Sequence, residues 1–574
     1  MKPTKQRTAI ALAILLATVM ALAGIPAFAN GGTESGSTLP AMTYTAWPRD
    51  PSGEKYINNP NDVVSPWVEK KFNIKVSDWT WATMAIPVRQ RFAQMAAADA
   101  VPDVIIDGKD NHDFEVESGL FADLTNEIPK MKNLMKYFDK NLTPYYLNNG
   151  KQYEIPAIEL NLNDKKYASD PYNLGSPNWT MWVREDILAK AGYKFTSTAD
   201  LQARAAATGK KPTEADYAIT PAIDTPAKFA DLLRKIKALN LKVGDKPVIP
   251  FSVSFWQQYH VSSMFKSPNW HKYADGTVAG FLGSPGAKDF YKWLWTANKE
   301  GLIDPDWLIQ KEEQLQDKAA SGQVAVGMYL NDINAARGAM AKVDPSYTVR
   351  YIPWPKVGGD PGYFDTFQGG FERAIVSKKV KDIPRLLQYF DWFYSDEGLD
   401  MLTWGPKEAG LWKMQGNKKV FADPQVEKDM LAGTKGGKGA DFYGLFDYTG
   451  TLMPFLSRVA IAAPRLMIGN PVSYVRSYPP NINVFTYASA LFGSKAMDYA
   501  GKSIPTVPGD NAQAVLAYYW SKFTNDRVSI ILKATTDADF NAAWDAEMKV
   551  FNDEGKYPGA VADARKWLAD NGVK

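Results

Sequence analysis

The side chains that enzymes most often use for covalent or metal chemistry are scarce in this chain of 574 residues. It has no cysteine and only three histidines, His112, His260 and His271, and none lies in a serine–histidine–aspartate pattern. No HExxH sequence, EF-hand loop or pair of histidines with a carboxylate offers metal ligands at a suitable spacing. A catalytic pair of carboxylates of the glycosidase type stays open as an alternative, but a chain with 63 Asp and Glu residues always offers such pairs. We therefore predict that the protein is not an enzyme and needs no cofactor.

Aromatic residues are abundant instead, with 18 Trp, 28 Tyr and 27 Phe. Flat rings stack on the apolar faces of sugars, while short polar side chains hydrogen-bond to the hydroxyls. The candidate ligand contacts follow predicted strands or lie in predicted loops. They are Trp47, Asp107, Trp179, Trp256, Gln257, Tyr329, Asn331, Gln368, Trp404 and Trp412. Asp107 is equally consistent with a solvated loop charge, whereas Trp293, Trp392 and Trp544 lie on predicted amphipathic helices and are assigned to the core.

Strands and helices alternate from the start of the predicted fold. Strands are predicted at Met42–Trp47, Ile74–Trp81 and Val104–Ile106, with helices between them at Val63–Phe72 and Arg91–Ala98. This β-α-β-α-β order predicts a parallel sheet with right-handed crossovers. The strands then end at a common edge where ligands bind in open α/β sheets, which favours a binding role for residues that follow them.

The first 29 residues have the pattern of an export signal. Lys2, Lys5 and Arg7 precede the apolar stretch Ala9–Leu22, and Ala27-Phe28-Ala29 matches the site that signal peptidase reads. Removal of this segment takes three cations and no acid from a formal net charge of +3, which leaves a neutral chain. The sequence thus predicts a periplasmic protein, cleaved near Ala29-Asn30, that carries no lipid-anchored cysteine and binds no nucleic acid.

Six phrases occur in an order that resembles extracellular solute-binding proteins of ABC transporters, in particular the large oligosaccharide-binding, family 1-like branch. The phrases are 91–108 (RFAQMAAADAVPDVIIDG), 150–156 (GKQYEIP), 182–188 (WVREDIL), 300–305 (EGLIDP), 321–328 (SGQVAVGM) and 394–398 (YSDEG). Each phrase alone is a weak signal, but together they span nearly all of the chain after the signal segment.

The resemblance implies an α/β, two-lobe periplasmic-binding-protein fold, type II-like, with discontinuous lobes joined by a multi-strand hinge. The implied divisions are a signal peptide at 1–29, a flexible leader at 30–39, lobe one at 40–158 and 331–370, and lobe two at 159–330 and 371–574. Crossings between the lobes are expected near 157–160, 328–331 and 369–374. Gly369-Gly370 would suit a hinge, although a tight turn there is equally consistent.

The resemblance also adds Arg49, Asp50 and Glu159 to the expected ligand contacts, with Glu159 equally consistent with a solvated loop charge. It implies a monomer that captures a sugar or oligosaccharide and delivers it to the permease subunits of an ABC importer. Two alternatives stay open, a secreted carbohydrate-active enzyme (lyase or glycosidase) and a ligand-presenting partner of a chemoreceptor. Fold alone does not decide among them.

Overall fold

Two separate β-sheets organise the chain, and helices pack on both of them. The structure is a computed structural model. It describes residues 38–48, 53–81, 88–138, 146–148, 150–156, 180–267, 269–329, 333, 336, 348–358, 372–432, 438–445, 456–464, 484–485, 487–488, 491–492, 504, 507 and 509–570.

The strands, in chain order, are β1 (Met42–Pro48), β2 (Ile74–Trp79), β3 (Val104–Gly108), β4 (Leu147–Asn148), β5 (Lys151–Gln152), β6 (Glu154–Ile155), β7 (Trp182–Arg184), β8 (Lys242–Val243), β9 (Lys246–Pro247), β10 (Ile249–Phe251), β11 (His271–Lys272), β12 (Val278–Ala279), β13 (Val324–Gly327), β14 (Val349–Tyr351), β15 (Glu372–Val376), β16 (Trp412–Gln415) and β17 (Lys418–Phe421).

The helices are α1 (Glu54–Ile57), α2 (Val64–Phe72), α3 (Val88–Ala97), α4 (Lys109–Glu117), α5 (Glu185–Lys190), α6 (Thr198–Thr208), α7 (Pro226–Ala238), α8 (Gln258–Val261), α9 (Ala287–Lys299), α10 (Glu312–Ala320), α11 (Ile383–Trp392), α12 (Asp396–Trp404), α13 (Pro424–Ala432), α14 (Ala440–Tyr443), α15 (Arg458–Ile461), α16 (Asp510–Ala517), α17 (Val528–Leu532), α18 (Asp537–Asp553) and α19 (Tyr557–Asp570), with a π-helical segment at Tyr518–Arg527.

The first sheet has the strand order β2-β1-β3-β15-β6. Strand β1 is parallel to β2 and β3, and β15 is antiparallel to β3 and β6. One core covers the face that carries Tyr44 and Ile106, and a second covers the face that carries Trp47 and Ile105. We call this sheet and its two cores the first unit; its described residues lie between 38 and 156 and between 372 and 464.

The second sheet has the order β10-β13-β7-β14, with β10 parallel to β13 and β7 antiparallel to both of its neighbours. Its largest core combines residues of 181–354 with residues of 504–568, and a smaller core on this sheet includes Trp182 and Phe485. We call this sheet and its cores the second unit; its described residues lie between 180 and 358 and between 484 and 570.

The predicted β-α-β-α-β start is confirmed. The observed β1, α2, β2, α3 and β3 match the predicted segments to within a few residues, and β2, β1 and β3 are parallel. All five residues of β3 are buried, as expected for an apolar strand with both faces covered. The pair Thr225-Pro226 predicts a helix start, since threonine is a favoured cap and proline suits the first turn. Helix α7 begins there, and the Thr225 hydroxyl accepts a hydrogen bond from the amide of Lys228.

The lobe boundaries differ from the expected ones. Strand β14, expected in lobe one, pairs with β7 of the second sheet, whereas β15, expected in lobe two, pairs with β3 and β6 of the first. The described core residues from Val380 to Ala463 likewise pack in the first unit rather than in lobe two. The described residues around the expected crossing at 328–331 stay in one unit, since Met328, Ile333 and Ala336 all lie in cores of the second unit. The chain passes between the units over 157–179, 359–371 and 465–483, which lie outside the described residues, as does Gly369-Gly370.

Among the described residues, none of the helices is both long enough and apolar enough to cross a membrane. The predicted apolar stretch Ala9–Leu22 and the leader at 30–37 lie outside them.

Candidate functional site

The parallel strands β10 and β13 end side by side and bring two aromatic residues together. Phe251, the last residue of β10, is in register with Val326 of β13. The segments that follow carry Trp256 and Tyr329, whose ring centroids lie 5.5 Å apart in an edge-to-face arrangement. Trp256 is half-buried and Tyr329 is buried. Two residues predicted from separate parts of the sequence as ligand contacts therefore meet at the edge of the second sheet where ligands bind in this class of fold.

A short turn of 3₁₀ helix, Phe255–Gln257, positions Trp256. The side-chain carbonyl of Gln257 accepts a hydrogen bond from the backbone amide of Ser254 at 3.0 Å, and the two residues form a reciprocal cap. Gln257 is fully buried. In this structure Gln257, predicted as a ligand contact, shapes the turn beneath Trp256.

A buried polar network holds the start of the same segment. The Ser252 hydroxyl donates to Asp304 at 2.5 Å, and the amide of Gln310 donates to the carbonyl of Val253 at 2.7 Å. The Lys318 ammonium lies 2.9 Å from both carboxylate oxygens of Asp304 and 2.9 Å from the Gln310 carbonyl. Because Asp304 is fully buried, its charge depends on this ammonium for compensation.

His260 packs edge-to-face against Trp256, with ring centroids 5.8 Å apart. Burial lowers the pKa of His260 to about 3, so the imidazole is neutral at physiological pH. It therefore contributes a flat uncharged ring to the site rather than a cation.

The corresponding edge of the first sheet carries a second aromatic pair, which the sequence analysis missed. Trp79 ends β2, and its ring lies parallel to that of Trp81 with centroids 5.8 Å apart. Both rings are half-buried and rest on the core of the first unit. The signal in the sequence is the repeat of tryptophan two residues apart, at the end of a predicted strand.

Five ionisable side chains are buried together beside the end of β3, and we call them the charge cluster: Asp107, His112, Glu115, Glu154 and Arg373. Arg373 is in register with Asp107, and its guanidinium donates to the carboxylate of Glu154. His112 Nδ1 lies 3.4 Å from Glu154, and His112 Nε2 lies 3.8 Å from Glu115. The Arg373 guanidinium also lies over the ring of Tyr146, 4.2 Å from its centroid.

Burial and mutual charge push the pKa values in this cluster apart. Burial acts to raise the pKa of Glu154, but the charges of Arg373 and His112 outweigh it and hold that pKa at about 2. Burial raises the pKa of Glu115 to about 7, against the opposing charge of His112. Burial acts to lower the pKa of His112, but Glu154 and Glu115 outweigh it and raise that pKa above its ordinary value.

The other predicted ligand contacts within the described residues are less exposed than expected. Trp47 is fully buried between the first sheet and its helices, and Asp107, also buried, accepts a hydrogen bond from the amide of Gly108 at 2.5 Å. Trp404 does not lie in a loop but ends helix α12, where it packs in the core against Phe421. Trp412 begins the β16–β17 hairpin, half-buried on the core of the first unit, and the Lys419 ammonium covers its ring at 3.9 Å.

The remaining predicted contacts lie outside the described residues, so their placement stays a prediction. They are Arg49, Asp50, Glu159, Trp179, Asn331 and Gln368. Within the part of the chain that the structure describes, no group of three or more His, Asp or Glu side chains is arranged to hold a metal ion.

No protein-family model matches the sequence, and a search of curated proteins finds no relative. Solved structures do match. A substrate-binding protein of a Streptococcus pneumoniae ABC transporter, in complex with kestose, aligns with a TM-score of 0.60 at 13% identity over 93% of this chain and 100% of that one. An HMO-binding, ABC-transporter-associated solute-binding protein from Bifidobacterium longum infantis gives 0.57 at 16% identity over 93% and 99%. An N-glycan transport solute-binding protein from Streptococcus pneumoniae, in complex with Man1GlcNAc, gives 0.51 at 14% identity over 92% and 99%. The chain therefore has the mixed α/β fold of the solute-binding proteins of ABC transporters.

Proposed function

We propose that this protein is the solute-binding component of an ABC importer, and that it captures a carbohydrate, specifically an oligosaccharide, for delivery to the permease. The observation that carries the proposal is the contact between Trp256 and Tyr329 at the carboxyl ends of β10 and β13. This edge is where a ligand binds in the fold, and aromatic rings there suit the apolar faces of a sugar.

The surroundings of Trp256 also favour a neutral ligand. The imidazole of His260 beside it is uncharged at physiological pH, and the half-buried ammonium of Lys318 compensates the buried charge of Asp304. Two of the structural neighbours reported above support the proposal, because one is in complex with kestose and the other with Man1GlcNAc.

Ligand capture would involve both units. Trp79 and Trp81 lie at the carboxyl edge of the first sheet, and Trp256 lies at that of the second. A sugar held between the two edges would contact both units when they close and only one when they open, so binding would favour the closed form. The segments 157–179 and 359–371, which contain Glu159, Trp179 and Gln368, link the units and are proposed to contribute further contacts.

We further propose that the protein is exported to the periplasm, cleaved after Ala29 and monomeric. The sequence of residues 1–29 supports export and cleavage, the absence of cysteine argues against a lipid anchor on that residue, and the monomeric state is what the family resemblance implies. Amino-terminal sequencing of protein from the periplasmic fraction should read from Asn30. Detergent-dependent protein that retains residues 1–29 would contradict this.

The binding proposal is tested by titration of glycans into wild-type protein and two tryptophan variants. Trp256→Ala should weaken the binding of a glycan by about tenfold or more, the effect of about 1.5–3 kcal/mol of lost apolar contact. Trp567→Ala removes a half-buried tryptophan on α19 of the same unit and should leave affinity unchanged. Full affinity in Trp256→Ala would place the site elsewhere.

The enzyme alternative is tested in the same samples. Hours of incubation with stoichiometric protein should return the glycan intact on chromatography. Product that persists after contaminating activities are removed would replace the transport proposal with that of a carbohydrate-active enzyme.

A further inference from the structure

The helix that follows residue 509 changes its winding in the middle. Residues 510–517 and 528–532 are α-helical, but Tyr518–Arg527 between them is a π-helix of ten residues. Bonding from residue i to i+5 widens the turn and is less favourable than α-helical bonding, so π segments are rare and are frequently found at functional sites.

The surrounding structure holds this segment in place. Its buried residues are Tyr518, Tyr519, Phe523 and Thr524, two pairs that are five residues apart, as the π winding requires. The carboxylate of Glu547 on α18 accepts a hydrogen bond from the Tyr518 hydroxyl at 2.5 Å and another from Arg527 at 2.7 Å. One buried carboxylate thus binds both ends of the segment.

The π-helical segment places Trp520 beside the candidate site. Its ring is half-buried and lies edge-to-face against Tyr259, with centroids 5.9 Å apart. Tyr259 contacts His260 at 4.4 Å, and His260 contacts Trp256 at 5.8 Å. A continuous series of rings therefore leads from Tyr329 through Trp256 to Trp520.

We propose that Trp520 is a second stacking platform, which makes the site selective for glycans of more than one sugar residue. This inference rests on the proposed function and deepens it. Two half-exposed indoles, with Tyr259 and His260 between them in the series, offer more ring surface than one hexose covers. A monosaccharide on Trp256 would gain nothing from Trp520, whereas a longer chain would stack on both.

The test compares Trp520→Ala, Trp256→Ala and Trp567→Ala against a panel of mono- to tetrasaccharides that includes kestose and Man1GlcNAc, by calorimetric titration. Trp520→Ala should weaken binding of the tri- and tetrasaccharides by about tenfold and that of their monosaccharide components by less than about twofold. Trp256→Ala should weaken the binding of all lengths. Trp520→Phe, which keeps a ring and preserves the packing against Tyr259, should give an intermediate loss if Trp520→Ala does not fold.

The outcomes separate this inference from the proposed function. If no glycan of the panel binds the wild-type protein, the proposed function fails and this inference with it. A second outcome is that glycans bind and Trp256→Ala weakens their binding, but Trp520→Ala weakens the binding of all glycan lengths equally or only lowers the melting temperature. That outcome overturns the second platform alone.

Discussion

The charge cluster leads to a prediction about pH and stability. Glu115 is fully buried on α4, and neither of its carboxylate oxygens has a hydrogen-bond partner among the described residues. The charges that act on it come from four elements: Asp107 from β3, Glu154 from β6, Arg89 from α3, and His112 from its own helix. Replacement by glutamine keeps the shape of Glu115 and removes its ionisation.

The magnitude follows from the pKa. A rise from the ordinary value of 4.5 to about 7, at about 1.36 kcal/mol per unit, corresponds to about 3 kcal/mol. The folded state holds the proton of Glu115 more tightly than the unfolded state does. The contribution of this proton to the free energy of unfolding is therefore present in full below pH 4.5 and is lost as pH rises through about 7. The pKa of His112 is also raised, so its contribution to stability is likewise lost as pH rises above the ordinary histidine pKa of 6.5. The pKa of Glu154 is lowered, so its contribution to stability is lost as pH falls, but only between pH 4.5 and about 2.

The assay is denaturant unfolding between pH 5 and 8.5, followed by tryptophan fluorescence. We expect the wild-type free energy of unfolding to fall across this range by up to about 3 kcal/mol more than that of Glu115→Gln. Glu117→Gln, an exposed change on the same helix, should retain the wild-type dependence. An identical pH dependence in wild type and Glu115→Gln would refute the reasoning, because it would mean that Glu115 titrates alike in the folded and unfolded states.

Two further predictions concern single side chains. Trp47→Ala should cost about 3–5 kcal/mol of unfolding free energy in chemical denaturation, because the ring is fully buried. Trp47→Phe should cost less and leave glycan affinity unchanged, and a loss of affinity in that variant would restore Trp47 as a ligand contact. Lys318→Met should destabilise by about 3 kcal/mol, because it leaves the buried carboxylate of Asp304 without its ammonium. Lys228→Met, which removes an exposed ion pair, should cost less than about 1 kcal/mol in the same denaturation experiment, and equal losses in the two lysine variants would contradict the argument.

Local patterns in the sequence determined the start of the first unit and the part of the candidate site that Trp256 and Tyr329 form. Apolar periodicity and proline positions suffice to predict β1 to β3, their parallel order and the cap of α7, since each depends on residues close in the chain. The prediction that Trp256 and Tyr329 follow strands at the ligand edge needed only the position of each residue after an apolar run. Their contact is a consequence of that common edge.

Only the tertiary structure decided which sheet the later strands join. Strand β15 ends in the buried apolar run Ala374–Val376, which could pair with either sheet by its sequence, and its antiparallel insertion between β3 and β6 depends on contacts more than 200 residues away. The burial of Trp47, the charge cluster and the π winding around Trp520 have the same origin. A sequence pattern shows which face of an element is apolar, but packing among distant segments sets the partner that covers it. The same packing decides the exposure of each side chain and the pKa of each buried group.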